Sequence, residues 1–296
     1  MGLWSFEQLY READARGRAL PVAVAGGADA TVLEALREGT DRGWVAPLVI
    51  GRELEIRRVA AGSGVSLDGL MILDSDEPAA TAVTAVHQGQ AQLLMKGQIS
   101  TPDLLRAMLH PSVGFRTGRV ICQVVLMEIP AAGRRFVLAD TGICIRPTLE
   151  QKADILWHAI AVAHALGVDM PKVAAVAASE VVTETMPETL DARELERRGA
   201  AGEFLHCLVQ GPLSFDLAYT SEAADKKRLA GPVIGSADVL LFPDLTSANL
   251  TVKAIMYTAN CRFGGVLCGA ACPVVFMSRA DTTSTRLNSL ALALML

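Results

Sequence analysis

The stretch 273–288 reads PVVFMSRADTTSTRLN, a short apolar run followed by a polar turn and then by helical spacing. An apolar run of this length predicts a buried strand, and Ser278 and Asp281 are residue types that cap helices. The first turn of a helix presents backbone N–H groups that bind anions, and Arg279 adds a planar set of donors suited to phosphate. The alternative is an ordinary capped helix with an Arg–Asp surface pair. Evidence from the rest of the sequence is needed to choose between an anion site and an ordinary capped helix.

The same alternation of short apolar runs and helical stretches continues along the whole chain. Uniformly apolar strands are typical of a parallel sheet that helices cover on both faces, so the sequence predicts an α/β fold with mostly parallel sheets. Helical spacing is clearest over 29–42, 77–90 and 151–166. The predicted strands are 21–25, 46–50, 71–73, 93–95, 120–126, 136–139, 173–176, 239–242, 266–268 and 274–276.

The length of the chain predicts two domains. With 296 residues and 51% hydrophobic content, it can bury more than one core. We expect a first α/β domain over 1–143 plus 273–296 and a second over 144–272. The helix over 151–166 is expected to carry the chain from one domain to the other.

Composition and charge exclude several classes of partner. A net charge of −5 leaves no electrostatic footprint for nucleic acid or for an anionic membrane, so an anionic ligand has to be captured by a local cluster of cations. No apolar run approaches the ~20 residues of a membrane span. The N-terminal segment is charged and amphipathic, unlike a signal peptide. We therefore expect a cytoplasmic protein that binds small molecules.

Motifs for common cofactors and metals are missing from the sequence. The first strand is followed by Ala25-Gly26-Gly27, without the glycine spacing of a dinucleotide site, and no Walker motif, nucleophile elbow or His-Glu-x-x-His is present. Cys268 and Cys272, with His206 and Cys207, match no zinc spacing. The six cysteines mostly lie in apolar runs, as core residues of a reducing compartment do. We expect no metal and no permanently bound cofactor.

Four further segments look like loops at the ends of strands, where open α/β sheets bind ligands. They begin at Leu94, Phe115, Leu138 and Asp244. Each is weak evidence by itself, because glycine-rich turns and capped helices are ordinary structure. Together they place an excess of cations near predicted strand ends of an acidic protein: Lys96, Arg116, Arg119, Lys253 and Arg279.

Several motifs, in this order along the chain, carry a family resemblance. They are Met95-Lys96-Gly97 with Thr101, Ala139-Asp140-Thr141-Gly142-Ile143 with Pro147-Thr148, Gly211-Pro212-Leu213 with Asp216, Ala237-Asp238 with Asn249 and Lys253, and Ser278-Arg279-Ala280-Asp281. Over essentially its whole length the chain resembles the phosphate acetyltransferase and phosphate butyryltransferase family. The last motif, with Thr285, Arg286, Asn288 and Ser289 after it, is similar to the butyryltransferase branch.

The resemblance implies a fold and a reaction. The fold is a pair of α/β domains of the isocitrate/isopropylmalate dehydrogenase-like kind, with the active site in the interdomain cleft of each subunit of a homodimer. The reaction is transfer of a short-chain acyl group between coenzyme A and inorganic phosphate, by direct attack in a ternary complex and without metal. Coenzyme A is then a substrate, and no nucleic acid or membrane takes part.

The resemblance also implies roles for individual residues. Ser278, Arg279 and Asp281 are the expected catalytic residues. Thr117, Arg119, Lys96, Gly97, Thr101 and Asp140 are expected to bind phosphate or acyl phosphate. Asn249, Lys253, Gly211 and Pro212 are expected to bind coenzyme A. Either Ser278 or Cys144 has the chemistry to form an acyl-enzyme, although the family resemblance implies direct transfer.

Two positions depart from the family pattern. Thr285 stands where the acetyltransferase branch has an aspartate, so Asp281 is the expected general base and Asp140 the next candidate. Asp281 has a second possible role, which is only to orient Arg279. Gln210 stands where the family commonly has an aspartate before Gly-Pro. Three alternatives stay open: a phosphate acyltransferase that uses acyl carrier protein, a decarboxylating dehydrogenase, and a non-catalytic relative that binds the same ligands.

Overall fold

The computed structural model describes residues 2–204 and 206–296, and the chain divides into two compact units. The terminal unit consists of Phe6–Arg119 and Phe263–Leu296, and the central unit consists of Val120–Arg262 with the chain up to Ser5. The units are divided after Arg119 and after Arg262, whereas the sequence places domain boundaries after 143 and 272. The helix over 151–166 lies inside the central unit, so the expectation that it carries the chain between domains is wrong.

Strands and helices alternate along most of the chain. The strands are β1 Leu20–Ala25, β2 Val45–Gly51, β3 Met71–Asp74, β4 Leu93–Lys96, β5 Cys122–Ile129, β6 Arg134–Ala139, β7 Lys172–Val176, β8 Leu208–Leu213, β9 Val239–Leu241, β10 Arg262–Cys268 and β11 Val274–Val275. The helices are α1 Phe6–Ala15, α2 Ala30–Asp41, α3 Glu53–Ser63, α4 Pro78–His87, α5 Thr101–Met108, α6 Leu149–Ala165, α7 Pro187–Ala200, α8 Phe215–Tyr219, α9 Ser221–Lys227, α10 Leu245–Thr258 and α11 Thr283–Ala293. The predicted α/β class is confirmed.

The sheet of the terminal unit is parallel except at one edge. Its strand order is β3-β2-β1-β4-β11-β10, and only β10 and β11 pair antiparallel. Parallel pairing puts the carboxyl ends of β1, β4 and β11 at the same edge of the sheet, where ligands of open α/β sheets bind. Lys96 ends β4 at this edge, and Ser278 follows β11 there.

Gly97 is needed because two loops touch at this edge. Its N–H donates to Ala25 O at 2.9 Å, and the Gln98 N–H donates to Gly26 O at 2.6 Å. A Cβ on Gly97 would lie 2.1 Å from Gly26 O, a backbone atom that cannot give way. The glycine therefore allows the loops after β1 and β4 to pack closely, and this is a structural reason for its place in the motif.

The strands of the central unit are also mostly parallel. Their order is β5-β6-β9-β7-β8, and only β5 and β6 pair antiparallel. Strand β8 is absent from the sequence-based strand assignment, because Gln210-Gly211-Pro212 interrupts its apolar pattern. Helix α6 begins with a capping box between Thr148 and Gln151. No helix in the described part of the chain is both long and apolar enough to cross a membrane.

Candidate functional site

A tight turn follows β11, and Asp281 closes it. The Ser278 N–H donates to Asp281 Oδ2 at 2.6 Å, and the Asp281 N–H donates back to Ser278 O at 3.2 Å. The Ser278 Oγ accepts from the Ala280 N–H at 3.3 Å. Ser278 and Arg279 are both exposed. We call residues 278–281 the SRAD turn; it presents the hydroxyl of Ser278 and the guanidinium of Arg279 to solvent.

Helix α11 starts later than the sequence suggests. Its N-cap is Thr282, whose Oγ1 accepts from the Thr285 N–H at 3.3 Å. The expectation that Ser278 or Asp281 caps this helix is therefore wrong, because the Asp281 carboxylate is used to close the preceding turn. Thr285 is buried, and its hydroxyl lies 3.0 Å from that of Thr282. Thr285, which stands where the acetyltransferase branch has an aspartate, therefore belongs to the first turn of α11.

Two buried cations lie behind the SRAD turn. Lys96 is 2% exposed, and its Nζ has a long contact of 3.4 Å with Gly97 O. Arg286, on α11, is fully buried; its Nη2 donates to Ser278 O at 3.3 Å and its Nε to Thr31 Oγ1 at 2.9 Å. The sequence analysis assigned no site role to Arg286. The signal that could have identified it is a charged residue within the apolar C-terminal helix.

Burial and the two neighbouring arginines lower the proton affinity of Lys96. Burial lowers the pKa of Lys96 to about 8, the positive charges of Arg286 and Arg279 act in the same direction, and Asp281 opposes them. Burial also lowers the pKa of the Arg286 guanidinium, against the effect of Asp29 and Asp281. Three cations therefore interact with only two carboxylates, which is an arrangement suited to an anion.

Replacing Lys96 by Met should stabilise the protein in the absence of phosphate. Because the pKa of Lys96 is lower in the folded protein than in the unfolded chain, its charge is destabilising below about pH 8, and this cost fades as the pH rises toward 10.5. We expect Lys96→Met to raise the free energy of unfolding by roughly 2 kcal/mol at pH 7 and by clearly less at pH 9.5. Denaturant unfolding at the two pH values measures both numbers.

The exposed Lys226 offers a matched control. Lys226→Met removes the same functional group from the surface, and its effect on unfolding should be small and the same at both pH values. A Lys96→Met variant that is less stable than the parent at pH 7 would contradict the argument.

Thr117 and Arg119 lie on an exposed turn of the terminal unit. The Thr117 hydroxyl donates to Gly269 O at 2.7 Å and accepts from the Arg119 N–H at 3.3 Å. These bonds hold the turn against the loop after β10. Thr101 is the first residue of α5, whose N-cap is Ser100. Hydrogen bonds thus fix the turn that carries Thr117 and Arg119, and Thr101 lies in the first turn of a capped helix.

Asp140 organises a loop of the central unit. Its carboxylate accepts from the N–H groups of Gln123, Gly142, Ile143 and Cys144 at 2.7–3.2 Å. Burial raises the pKa of the Asp140 carboxyl, and the backbone donors counteract this effect. A buried carboxylate that is already bound by four donors has little capacity for phosphate, which it repels. The geometry therefore favours a loop-holding role over the phosphate contact expected from the sequence.

Removal of the Asp140 carboxylate should be costly for stability. Asp140→Ala would leave four half-buried N–H groups without this acceptor, so we expect a loss of more than about 3 kcal/mol in the free energy of unfolding. Asp244→Ala is a matched control, because Asp244 caps α10 by accepting from the Ser247 N–H at 2.8 Å and from the Ser247 hydroxyl at 3.0 Å. The control should lose about 1 kcal/mol in urea unfolding. Equal losses in the two variants would contradict the special role of Asp140.

The residues expected to bind coenzyme A have different environments. The Asn249 Nδ2 donates to Thr141 O at 3.0 Å, so its amide supports the same loop as Asp140. Lys253 is exposed one turn further along α10. Gly211 and Pro212 are buried in β8, and a Cβ on Gly211 would lie 2.7 Å from that of Ala175. Of these four residues, Lys253 is the one whose side chain is exposed.

Three further features bear on the chemistry of the site: the Cys144 thiol, Gln210 and the groups that could hold a metal. Burial, reinforced by the negative charge of Asp140, raises the pKa of the Cys144 thiol to about 12. The Gln210 Oε1 accepts from the Val233 N–H at 3.1 Å, which gives this departure from the family pattern a structural use. Within residues 2–204 and 206–296, no group of three or more His, Cys, Asp or Glu side chains is arranged to hold a metal.

The fold and the candidate site together define an α/β protein with a cluster of cations at the carboxyl ends of parallel strands. Residues 75–294 match the model of the family described as phosphate acetyl/butaryl transferase. The chain is 38% identical to a phosphate acetyltransferase of Thermotoga maritima over 281 residues, which are 94% of this chain and 96% of the relative. It is also 38% identical to a phosphate butyryltransferase of Clostridium acetobutylicum over 275 residues, 92% of this chain and 91% of the relative.

A solved structure agrees with these matches. A branched-chain phosphotransacylase from Enterococcus faecalis V583 has a TM-score of 0.81 and 31% identity, covering 93% of this chain and 98% of its own. The chain belongs to the phosphate acetyl/butyryl transferase family. It is a transferase, and the function expected from the sequence, acyl transfer between coenzyme A and phosphate, is confirmed.

Proposed function

We propose that the protein converts acyl-CoA and phosphate into acyl phosphate and CoA by direct attack, with the phosphate bound at the SRAD turn. The observation that carries this proposal is the exposed Ser278–Arg279 pair in front of two buried cations, Lys96 and Arg286. A doubly charged phosphate requires such a concentration of positive charge in a protein with a net charge of −5.

The chemistry needs positioning and charge neutralisation more than a covalent intermediate. A phosphate oxygen attacks the thioester carbonyl carbon, the C–S bond breaks, and CoA leaves as a thiolate that then takes a proton. Arg279 holds the phosphate in the attacking orientation, and the Ser278 hydroxyl donates to it. Thr117, Arg119 and Thr101 are proposed to contact the same anion or its acyl group. Lys253 is proposed to bind the charged part of CoA.

Two observations support direct transfer. With a pKa of about 12, Cys144 is almost entirely a thiol at neutral pH, and a thiol is a poor nucleophile. The Ser278 Oγ accepts from the Ala280 N–H, and the Asp281 carboxylate accepts from the Ser278 N–H. This bond of Asp281 to the backbone does not activate the Ser278 hydroxyl as a nucleophile. Initial-rate kinetics should accordingly give intersecting lines, since ping-pong kinetics are the mark of an acyl-enzyme.

The bond from Ser278 to Asp281 favours the orienting role for this carboxylate over that of general base. A carboxylate oxygen that accepts at 2.6 Å from the backbone of the turn fixes the position of the neighbouring Arg279. The thiolate can then leave beside the cations without a dedicated base.

A panel of thioesters tests the proposed function. We expect release of CoA from acetyl-, propionyl-, butyryl- or isobutyryl-CoA that depends on phosphate, and acyl phosphate trapped as the hydroxamate in equal amount. EDTA should leave the rate unchanged. The panel also decides the chain length, since the similar relatives include both acetyl and butyryl enzymes. No phosphate-dependent release from any thioester would overturn the proposal.

The second candidate is a non-catalytic relative that binds the same ligands. Thr285, in the place of an acidic residue, is the observation in its favour, and the same assay separates it from the enzyme. A homodimer in the cytoplasm is the assembly and location that we propose from the family resemblance. The mass of the protein in solution, from light scattering, tests the dimer.

A further inference from the structure

Arg286 is a buried cation whose donors are only partly used. Its Nε and Nη2 have protein acceptors, but Nη1 is buried and has no hydrogen-bond partner in the described part of the chain. A buried donor without a partner costs free energy, and for a charged group the cost is larger. A purely structural role would be served by the Nε and Nη2 bonds alone and gives no reason for a buried Nη1 without a partner.

The bonds that Arg286 does make fix its guanidinium. The Nε donates to the Thr31 hydroxyl, which donates in turn to Asp29 Oδ1 at 2.6 Å. Asp29 caps α2 by accepting from the Val32 N–H at 3.0 Å. The Nη2 holds Ser278 O. The guanidinium is thus anchored between the start of α2 and the SRAD turn, with only Nη1 left for another acceptor.

The surrounding charge favours an anion as that acceptor. Lys96 lies close enough for its pKa to be lowered by Arg286, and the Lys96 amine makes a long contact of 3.4 Å with Gly97 O. Both nearby carboxylates are already engaged, Asp29 by Thr31 and Val32 and Asp281 by the Ser278 N–H. The positive charge behind the turn is therefore incompletely compensated by the protein itself.

We propose that Arg286 is a direct ligand of the phosphoryl group, through Nη1, and that it shares this group with Arg279. The inference rests on the proposed phosphate site at the SRAD turn. It assigns to Arg286 a place in the substrate site that neither the sequence motifs nor the family match gives it. One guanidinium then holds the turn and the substrate at once, so binding of phosphate also rigidifies the turn.

Binding of inorganic phosphate, followed by thermal unfolding at constant ionic strength, tests this assignment. The variants are Arg286→Met, Arg286→Lys and Arg279→Ala, with Arg134→Met as a control that removes a half-buried arginine of the central unit. We expect phosphate to raise the unfolding temperature of the parent and the control alike. Arg286→Met should bind phosphate at least tenfold more weakly, and Arg286→Lys should recover part of the loss. In rate measurements, KM for phosphate should rise while KM for acyl-CoA changes less than threefold.

Each outcome decides between the possible roles. If Arg286→Met folds and binds phosphate as the parent does, or if phosphate leaves the parent's unfolding temperature unchanged, Arg286 is no ligand. If kcat falls with an unchanged KM for phosphate, Arg286 acts on the reaction without binding phosphate, which also overturns the inference. If Arg286→Met does not fold, Arg286→Lys decides through its phosphate affinity. Normal phosphate affinity in Arg279→Ala would instead remove the proposed site itself.

Discussion

Arg279→Ala is expected to lower kcat/KM for phosphate by roughly 10³-fold, because the variant loses the exposed guanidinium that binds and orients the attacking phosphate. Arg279→Lys should still lose roughly 10²-fold, since an ammonium is a point charge and cannot form two parallel hydrogen bonds with a phosphate. Steady-state rates of CoA release over a range of phosphate concentrations measure both effects.

The control for Arg279 is Arg58→Ala, which removes an exposed arginine from α3 in the same unit. Its kinetics should match those of the parent. Circular dichroism and unfolding midpoints should be unchanged in all three variants, because Arg279 is exposed and the SRAD turn is closed by Asp281. An Arg279→Lys variant with normal saturation by phosphate would show that only the charge of Arg279 matters.

Asp281→Ala is the second variant with a large expected effect. Loss of the acceptor for the Ser278 N–H should release the SRAD turn, so we expect kcat/KM for phosphate to fall by roughly 10²-fold, with a higher KM for phosphate. Asp281→Asn keeps an oxygen that can accept the same hydrogen bond, and we expect it to lose less than about tenfold. Comparison of the two variants therefore separates the hydrogen bond from the charge.

The general-base hypothesis makes the opposite prediction for Asn. An amide cannot take a proton, so a catalytic base at Asp281 would cost roughly 10²-fold in kcat in both variants, with an unchanged KM for phosphate. That result would reverse the role assigned here. Kinetics equal to those of the parent in both variants would remove Asp281 from the mechanism altogether.

The two predictions share a physical basis. The SRAD turn is exposed and short, and its shape depends on a few hydrogen bonds, from Asp281 on one side and from Arg286 on the other. The buried cations behind it supply charge that solvent does not screen, since interactions between charges are stronger in a low dielectric. Precise placement comes from the turn, and the affinity for an anion comes from the charges around it.

The α/β class and the edge of the sheet that carries the site could be read from the sequence. Short apolar runs such as Val274–Val275 specify buried strands wherever helices cover both faces, and the polar residues after them then fall at strand ends. The family motifs led to the transferase function. The sequence was less able to place the ends of elements, as Thr282 shows, because several neighbouring residues can cap the same helix and hydrogen bonding in the preceding turn decides which one does.

Only the tertiary structure decided what the individual polar side chains do. From the sequence, Asp140 is an expected phosphate ligand, and Arg286 is a base in a helix with no predicted role. In the structure, the first is saturated by four backbone N–H groups, and the second is buried beside Lys96 with one donor unused. The sequence by itself determines the pattern of apolar and polar positions, and with it the class of fold and the sheet edge at which the polar residues of the candidate site lie. Burial and hydrogen-bond partners depend on segments far apart in the chain, such as Thr31 and Arg286, so the charge and role of each group emerge only when those segments meet.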